Sequence, residues 1–80
     1  MEADGERFET RYANNFRLGC NRHEFILDFG ESFEGQESFF LRIVCCPPYV
    51  QELLLILTES LQRYSEQYGE IPALRSPEGP

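Results

Sequence analysis

The feature that most constrains this chain is an apolar stretch near its middle, FFLRIVCCPPYVQELLLIL at residues 39–57, in a sequence of only 80 residues. A chain of this length buries only about 60% of the surface that its unfolded form exposes, so its single core is of marginal stability. Small domains usually gain the missing stability from disulfides, a structural metal or a partner chain. One of these is therefore expected to stabilise the fold, and the apolar side chains of residues 39–57 must also be covered.

The cysteines argue against a disulfide framework. Cys20, Cys45 and Cys46 are odd in number and show no framework spacing, and no signal segment precedes them. The sequence therefore predicts a reducing, cytoplasmic setting.

A metal or catalytic site is also disfavoured. Cys20 and His23 have Cys-x-x-His spacing and, with Cys45 and Cys46, form a set of possible zinc ligands. Adjacent strand residues point to opposite faces, so Cys45 and Cys46 are badly arranged to share an ion unless the strand ends between them. Cysteine is also found more often as a small buried apolar residue than as a metal ligand. As a nucleophile and base, Cys20 and His23 lack a third group to orient the imidazole. We predict no metal, no cofactor, no catalytic residue and no enzymatic activity.

The charge argues against two classes of partner. The net charge is −7, from 14 acidic residues and seven basic residues, and the acidic residues are enriched in the first ten positions. A field of this sign repels phosphate backbones and anionic membrane surfaces. No apolar run reaches the roughly 18 residues that a membrane-spanning helix needs. The sequence predicts no nucleic acid and no membrane partner.

Three strands are predicted before the double proline, each from the alternation of apolar and polar residues: YANNFRL at 12–18, EFILDFG at 24–30 and ESFFLRIVC at 37–45. The turn GCNRH at 19–23 joins the first two, and a longer loop, GESFEGQ at 30–36, leads to the third. An antiparallel meander is therefore expected.

The alternation also assigns side chains to faces. In the third strand, one face is predicted to carry Phe39, Leu41, Ile43 and Cys45, and the other Phe40, Arg42 and Val44. Asp28 alternates with apolar positions in the second strand. Arg17 or Arg42 on a neighbouring strand is expected to form a cross-strand pair with it.

A long helix is predicted after the strands. Pro47 and Pro48 end the third strand and suit the first helical positions. Gly69 is predicted as a left-handed C-terminal cap, and Pro72 prevents continuation. The apolar stripe of this helix consists of Val50, Leu53, Leu57, Leu61, Tyr64 and Tyr68.

The fold class is therefore α+β, a β-β-β-α domain at residues 10–71, between a disordered acidic tail at 1–9 and a disordered proline-rich tail at 72–80. One sheet face can cover the helix stripe but not the apolar residues outside it. A second copy of the chain is the simplest partner that could cover these residues, which predicts a homodimer. The predicted dimer or partner interface consists of Phe40, Val44, Leu55 and Ile56.

The linked motifs YANNFRLG, EFILDFG, LRIVCCPPYVQELLLIL and YSEQYGEI resemble a family of short bacterial and archaeal proteins of unknown function. Its pattern is Y-[AS]-N-x-x-R, then EF-x-[LI]-DFG, then RIV-x-SP, then Y-x-x-x-[FY]-G-x-I, and the resemblance spans residues 11–71. The chain departs from it where CCPP replaces the serine-proline pair. The resemblance implies a fold but no activity.

The function expected from the sequence is that of a cytoplasmic, homodimeric interaction or accessory module that binds an unidentified protein partner. The alternative is a holdase-like chaperone or secretion adaptor that exposes apolar grooves to client segments.

Overall fold

The computed structural model describes residues 6–74, which divide into a sheet unit ending at Pro47 and a helix unit beginning at Pro48. The elements are β1 (Asn15–Cys20), β2 (Phe25–Phe33), β3 (Gln36–Cys45) and α1 (Pro47–Tyr68). The strands form one antiparallel sheet in the order β1-β2-β3. The predicted β-β-β-α architecture is therefore confirmed.

The predicted tails fall only partly within this range. Residues 1–5 and 75–80 lie outside the described residues, and residues 6–9 and 72–74 belong to no helix or strand.

β1 begins at Asn15 rather than at residue 12. Just before it, the Asn14 side chain forms hydrogen bonds with the backbone of Ser32 in β2. Its Oδ1 accepts a hydrogen bond from the Ser32 backbone N–H at 2.8 Å, and its Nδ2 donates to the Ser32 carbonyl oxygen at 3.1 Å. The Asn14 backbone N–H still donates to the Gly30 carbonyl oxygen at 3.0 Å. One amide side chain thus bonds the backbone as a strand residue would.

The first turn is shorter than predicted, because β1 extends to Cys20. The Asn21 side-chain oxygen accepts hydrogen bonds from the backbone N–H groups of His23 at 2.8 Å and Glu24 at 2.9 Å. This is an Asx turn, the local structure for which asparagine is favoured.

The predicted loop at residues 30–36 is wrong. β2 continues to Phe33 and β3 begins at Gln36, which leaves only Glu34 and Gly35 in the turn. Both have positive φ, 52° and 82°, as a two-residue turn of type I′ requires. The usual signal for this turn is Asn-Gly or Asp-Gly, so a glutamate in the first position concealed it.

Because Glu34 occupies a left-handed conformation without being glycine or asparagine, Glu34→Asn is expected to stabilise the sheet. A left-handed residue of ordinary type costs roughly 1 kcal/mol, which asparagine partly avoids, so the melting temperature should rise by about 2–5 °C. Thermal denaturation followed by circular dichroism measures the change. An unchanged or lower melting temperature would contradict the assigned turn.

A β-bulge interrupts the pairing of β2 with β3. Phe29 pairs with Leu41 whereas Gly30 pairs with Phe39, so Phe40 is an extra residue without a partner in β2. The prediction that Phe39 shares a face with Leu41 is therefore wrong, because the bulge transfers Phe39 to the opposite face. Simple alternation cannot reveal such an inserted residue.

Gly30 is what makes this close approach possible. A Cβ atom at this position would lie 2.9 Å from the Cα of Phe39 and would overlap the Ser38 carbonyl oxygen. Gly30 is therefore a strand glycine required for packing, and the prediction that it belongs to a turn is wrong.

α1 has the predicted boundaries. It begins at Pro47, one residue after the end of β3, and ends at Tyr68. Gly69 has φ 98°, and its N–H donates to the Ser65 carbonyl oxygen at 2.9 Å, which confirms the left-handed cap. No residue of the helix is buried; in its apolar stripe Val50 is half-buried and the other five residues are exposed.

Candidate functional site

One face of the sheet is apolar across all three strands. The register aligns its side chains in three rows, with β2 in the centre: Phe16, Phe29 and Leu41; Leu18, Leu27 and Ile43; Cys20, Phe25 and Cys45. We call these nine residues the apolar face. The Phe16 and Phe29 rings meet edge to face with centroids 5.7 Å apart, yet Phe16 and Leu18 each remain 64% exposed. None of the nine residues is Asp, Glu, Lys, Arg or His.

The opposite face carries a row of three charged side chains, Arg17, Asp28 and Arg42, one from each strand. Arg42 donates from Nε to Asp28 Oδ1 at 2.8 Å and from Nη2 to Oδ2 at 3.0 Å. Arg17 approaches Oδ2 with both Nε and Nη2 at 3.0 Å. The sequence predicted that one of the two arginines would pair with Asp28, and the structure confirms the pairing with both.

Asp28 is only 5% exposed, and among residues 6–74 it is the one charged residue that is buried. The hydrogen bonds from Arg42 are the largest influence on its carboxyl group and lower its pKa from 3.8 to about 2, aided by Arg17 and opposed by burial. The same contacts raise the pKa of Arg42. Both charges therefore persist throughout the physiological pH range.

This lowered pKa predicts a specific acid sensitivity. A carboxylate whose pKa is lower in the folded protein stabilises the fold above its ordinary pKa and loses that contribution as pH falls toward the folded value. The contribution of Asp28 should be complete above about pH 4 and largely lost by about pH 2.

The comparison variant is Asp28→Asn, which cannot ionise. We expect it to melt several degrees lower than the natural chain at pH 7, because Arg17 and Arg42 then face each other without a counter-charge. The difference should shrink as pH falls from 4 to 2. A difference that stays constant over that range would show that Asp28 stabilises the sheet without its charge.

Aromatic rings extend the charged row. The guanidinium carbon of Arg17 lies 4.0 Å from the centroid of the Phe39 ring, and that of Arg11 lies 3.9 Å from the centroid of the Phe40 ring. These are cation–π distances. The sequence assigned Phe40 to the interface and Phe39 to the face of Leu41, and no sequence signal indicated the bulge that brings Phe39 to this face.

Together these side chains surround an open depression with a volume of about 390 Å³, lined by Arg17, Asp28, Phe39, Phe40, Leu41 and Arg42. We call it the arginine site. It is the part of the sheet where charge, hydrogen-bond donors and aromatic surface come together.

The four predicted interface residues lie in different units. Phe40 is half-buried at the bulge, and Val44 is exposed on the face that carries Asp28. Leu55 and Ile56 are exposed on α1, by 64% and 53%. Their role in an interface stays a prediction.

The possible zinc ligands are dispersed. Cys20 and Cys45 lie on the apolar face on either side of Phe25, whereas His23 and Cys46 are exposed. Within residues 6–74, no three His, Cys, Asp or Glu side chains form a group that could hold a metal ion. In the same range, no helix has both the length and the apolar character needed to span a bilayer.

Fold and surfaces define a small α+β domain with a two-faced sheet, one face apolar and the other bearing the arginine site. The family described as "Protein of unknown function (DUF3467)" matches residues 1–73, and the chain belongs to it. This confirms the resemblance to a family of unknown function. No curated protein and no solved structure matches the chain.

Proposed function

We propose that the chain is a homodimeric protein-interaction module without catalytic activity, in which a second copy covers the apolar surfaces. The observation that carries this proposal is that, within residues 6–74, no apolar side chain is buried. The sheet unit buries only Asp28 and Gly30, and the helix unit buries nothing. Each unit by itself therefore presents its apolar residues to the surroundings.

Such a chain requires a partner for stability. Fully burying a leucine, isoleucine or phenylalanine side chain contributes about 1.5–3 kcal/mol, and this is the main force that offsets the entropy lost on folding. An exposed apolar patch the size of three strands is unusual on a monomer and is typical of an interface.

The composition of the apolar face favours a second copy as the occupant. Because none of its nine residues is charged, a polar or charged partner would be desolvated there without gaining hydrogen bonds. The chain itself supplies the complementary surfaces, a second apolar face and the exposed stripe of α1. In a two-fold dimer every contact occurs twice, so a few side chains from each copy suffice to offset the cost of association.

The predicted residues Leu55 and Ile56 belong to the exposed surface of α1 and are included in the proposed interface. Phe40 and Val44 lie on the face opposite to the nine apolar residues, so the proposed contact through the apolar face does not include them, and their predicted role in an interface is a separate hypothesis. Substitutions on each face of β3 can show separately whether that face takes part in the dimer contact.

The properties of Asp28 support a structural rather than a catalytic role. A carboxylate with a pKa of about 2 is a weak general base at neutral pH. Its oxygens are also occupied by Arg17 and Arg42. The free thiols of Cys20, Cys45 and Cys46 support a reducing, cytoplasmic setting.

Sedimentation equilibrium of the full chain between low and high micromolar concentration tests the proposal. We expect twice the mass of one chain, 9.4 kDa each, with no suppression of aggregation when the protein is mixed with a chemically unfolded client. A stable monomer that suppresses such aggregation would instead favour the holdase-like chaperone or secretion adaptor.

A further inference from the structure

The arginine site lies on the face of the sheet opposite to the apolar face. It combines two guanidinium groups that are held in fixed positions with aromatic surface beside them. Three observations about these groups indicate what the site binds.

The first observation is that the guanidinium groups retain free donors. Arg17 and Arg42 contact Asp28 through Nε and Nη2. Among residues 6–74, both side chains make their hydrogen bonds and ion pairs through Nε and Nη2, and Nη1 of neither arginine makes one. Both side chains are more than half exposed, which leaves them accessible to a ligand.

The second observation is that the donors are already ordered. An arginine that binds a ligand normally loses side-chain entropy when it is immobilised. Here Asp28 holds both guanidinium groups from within the sheet, and the Phe39 ring lies under that of Arg17 at 4.0 Å. Folding therefore already immobilises these side chains in part, and less side-chain entropy is lost when a ligand binds.

The third observation is the local balance of charge. The depression contains Arg17, Arg42 and one carboxylate, Asp28, which leaves one excess positive charge. Beside it, Arg11 is paired with Glu9 at 3.4 Å, where both side chains are well exposed. This small positive region lies in a chain of net charge −7.

We propose that the arginine site binds a single carboxylate of a partner protein, next to an apolar or aromatic side chain that packs on Phe39 and Phe40. Guanidinium N–H pairs match the geometry of a carboxylate. A single carboxylate balances the single excess positive charge. A nucleic acid would bring many phosphates against a chain of net charge −7 and be repelled beyond the site.

The test uses two blocked dipeptides that differ only in charge, N-acetyl-Phe-Glu-amide and N-acetyl-Phe-Gln-amide, titrated into the isotope-labelled full chain. The readout is the position of the side-chain Nε–H signals of Arg17 and Arg42 in the nuclear magnetic resonance spectrum. We expect saturable shifts with the glutamate peptide and at least about tenfold weaker binding of the glutamine peptide. N-acetyl-Ala-Glu-amide should also bind more weakly, because it lacks the ring.

Two variants separate binding from folding. Arg17→Gln leaves Asp28 with both of its contacts to Arg42 and should weaken binding of the glutamate peptide while the backbone spectrum stays that of the folded chain. Arg63→Gln, on α1, removes the same charge elsewhere and should leave binding unchanged.

The proposal is overturned if the two phenylalanine peptides bind equally, or if no saturable shift occurs up to about 20 mM, the range expected for so small a ligand. It is also overturned if a single-stranded oligonucleotide shifts the same signals at lower concentration than the glutamate peptide.

Discussion

Gly30→Val is expected to lower the melting temperature by about 10 °C or more, because overpacking costs roughly 1–3 kcal/mol and each kcal/mol corresponds to about 4–8 °C in a domain of this size. The added side chain would collide with the backbone at Ser38 and Phe39. Backbone atoms held in a β-ladder cannot rotate away as a flexible side chain can. The pairing of β2 with β3 would therefore have to shift, and the bulge at Phe40 would be lost.

The matched control is Gly19→Val in β1. A Cβ at Gly19 meets nothing within 4 Å, and valine is favoured in strands. Its melting temperature should equal or exceed that of the natural chain. Equal losses for the two variants, measured by circular dichroism, would show that the close approach at Gly30 does not determine the sheet.

Ile43→Glu is expected to weaken the dimer at least about 100-fold, because it places a charge without a partner in the apolar contact. Val44→Glu makes the same change at the next residue, on the opposite face of β3. If the apolar face forms the contact, Val44→Glu should leave the dimer largely intact. Sedimentation equilibrium measures both dissociation constants.

The reverse result, with Val44→Glu dissociating the dimer and Ile43→Glu leaving it intact, would place the interface on the face with Phe40 and Val44. On the helix, Ile56→Glu is expected to weaken association and Glu66→Gln to leave it unchanged. Circular dichroism of each variant establishes that the chain remains folded.

Features that depend on local backbone chemistry were predictable from the sequence. The α1 boundaries follow from proline, which suits the first turn, and from Gly69, which adopts the left-handed cap. The contact of Asp28 with Arg17 and Arg42 follows from two rules: residues at equivalent positions of neighbouring strands lie side by side, and a buried carboxylate requires a partner.

Features that depend on one inserted residue were not predictable. Alternation assumes that each strand residue has one partner, so it placed Phe39 with Leu41. The two glycines of residues 30–36 indicated a loop, so Gly30 was treated as a turn residue. The bulge at Phe40 breaks that assumption and shifts Phe39 to the face of Asp28. The contribution of Phe39 to the arginine site depends on this shift, so the sequence indicated the charges of the site and Phe40 but not Phe39.

The most direct test of the account is whether the apolar face contacts a second copy of the chain. In a dimer of one isotope-labelled and one unlabelled chain, filtered nuclear Overhauser spectra detect only contacts between the two copies. We expect such contacts from the methyl groups of Leu27 and Ile43 to apolar side chains of the unlabelled copy. If those methyl groups contact only residues of their own chain, the apolar face is covered without a partner, and the proposal of a homodimer built on it is wrong.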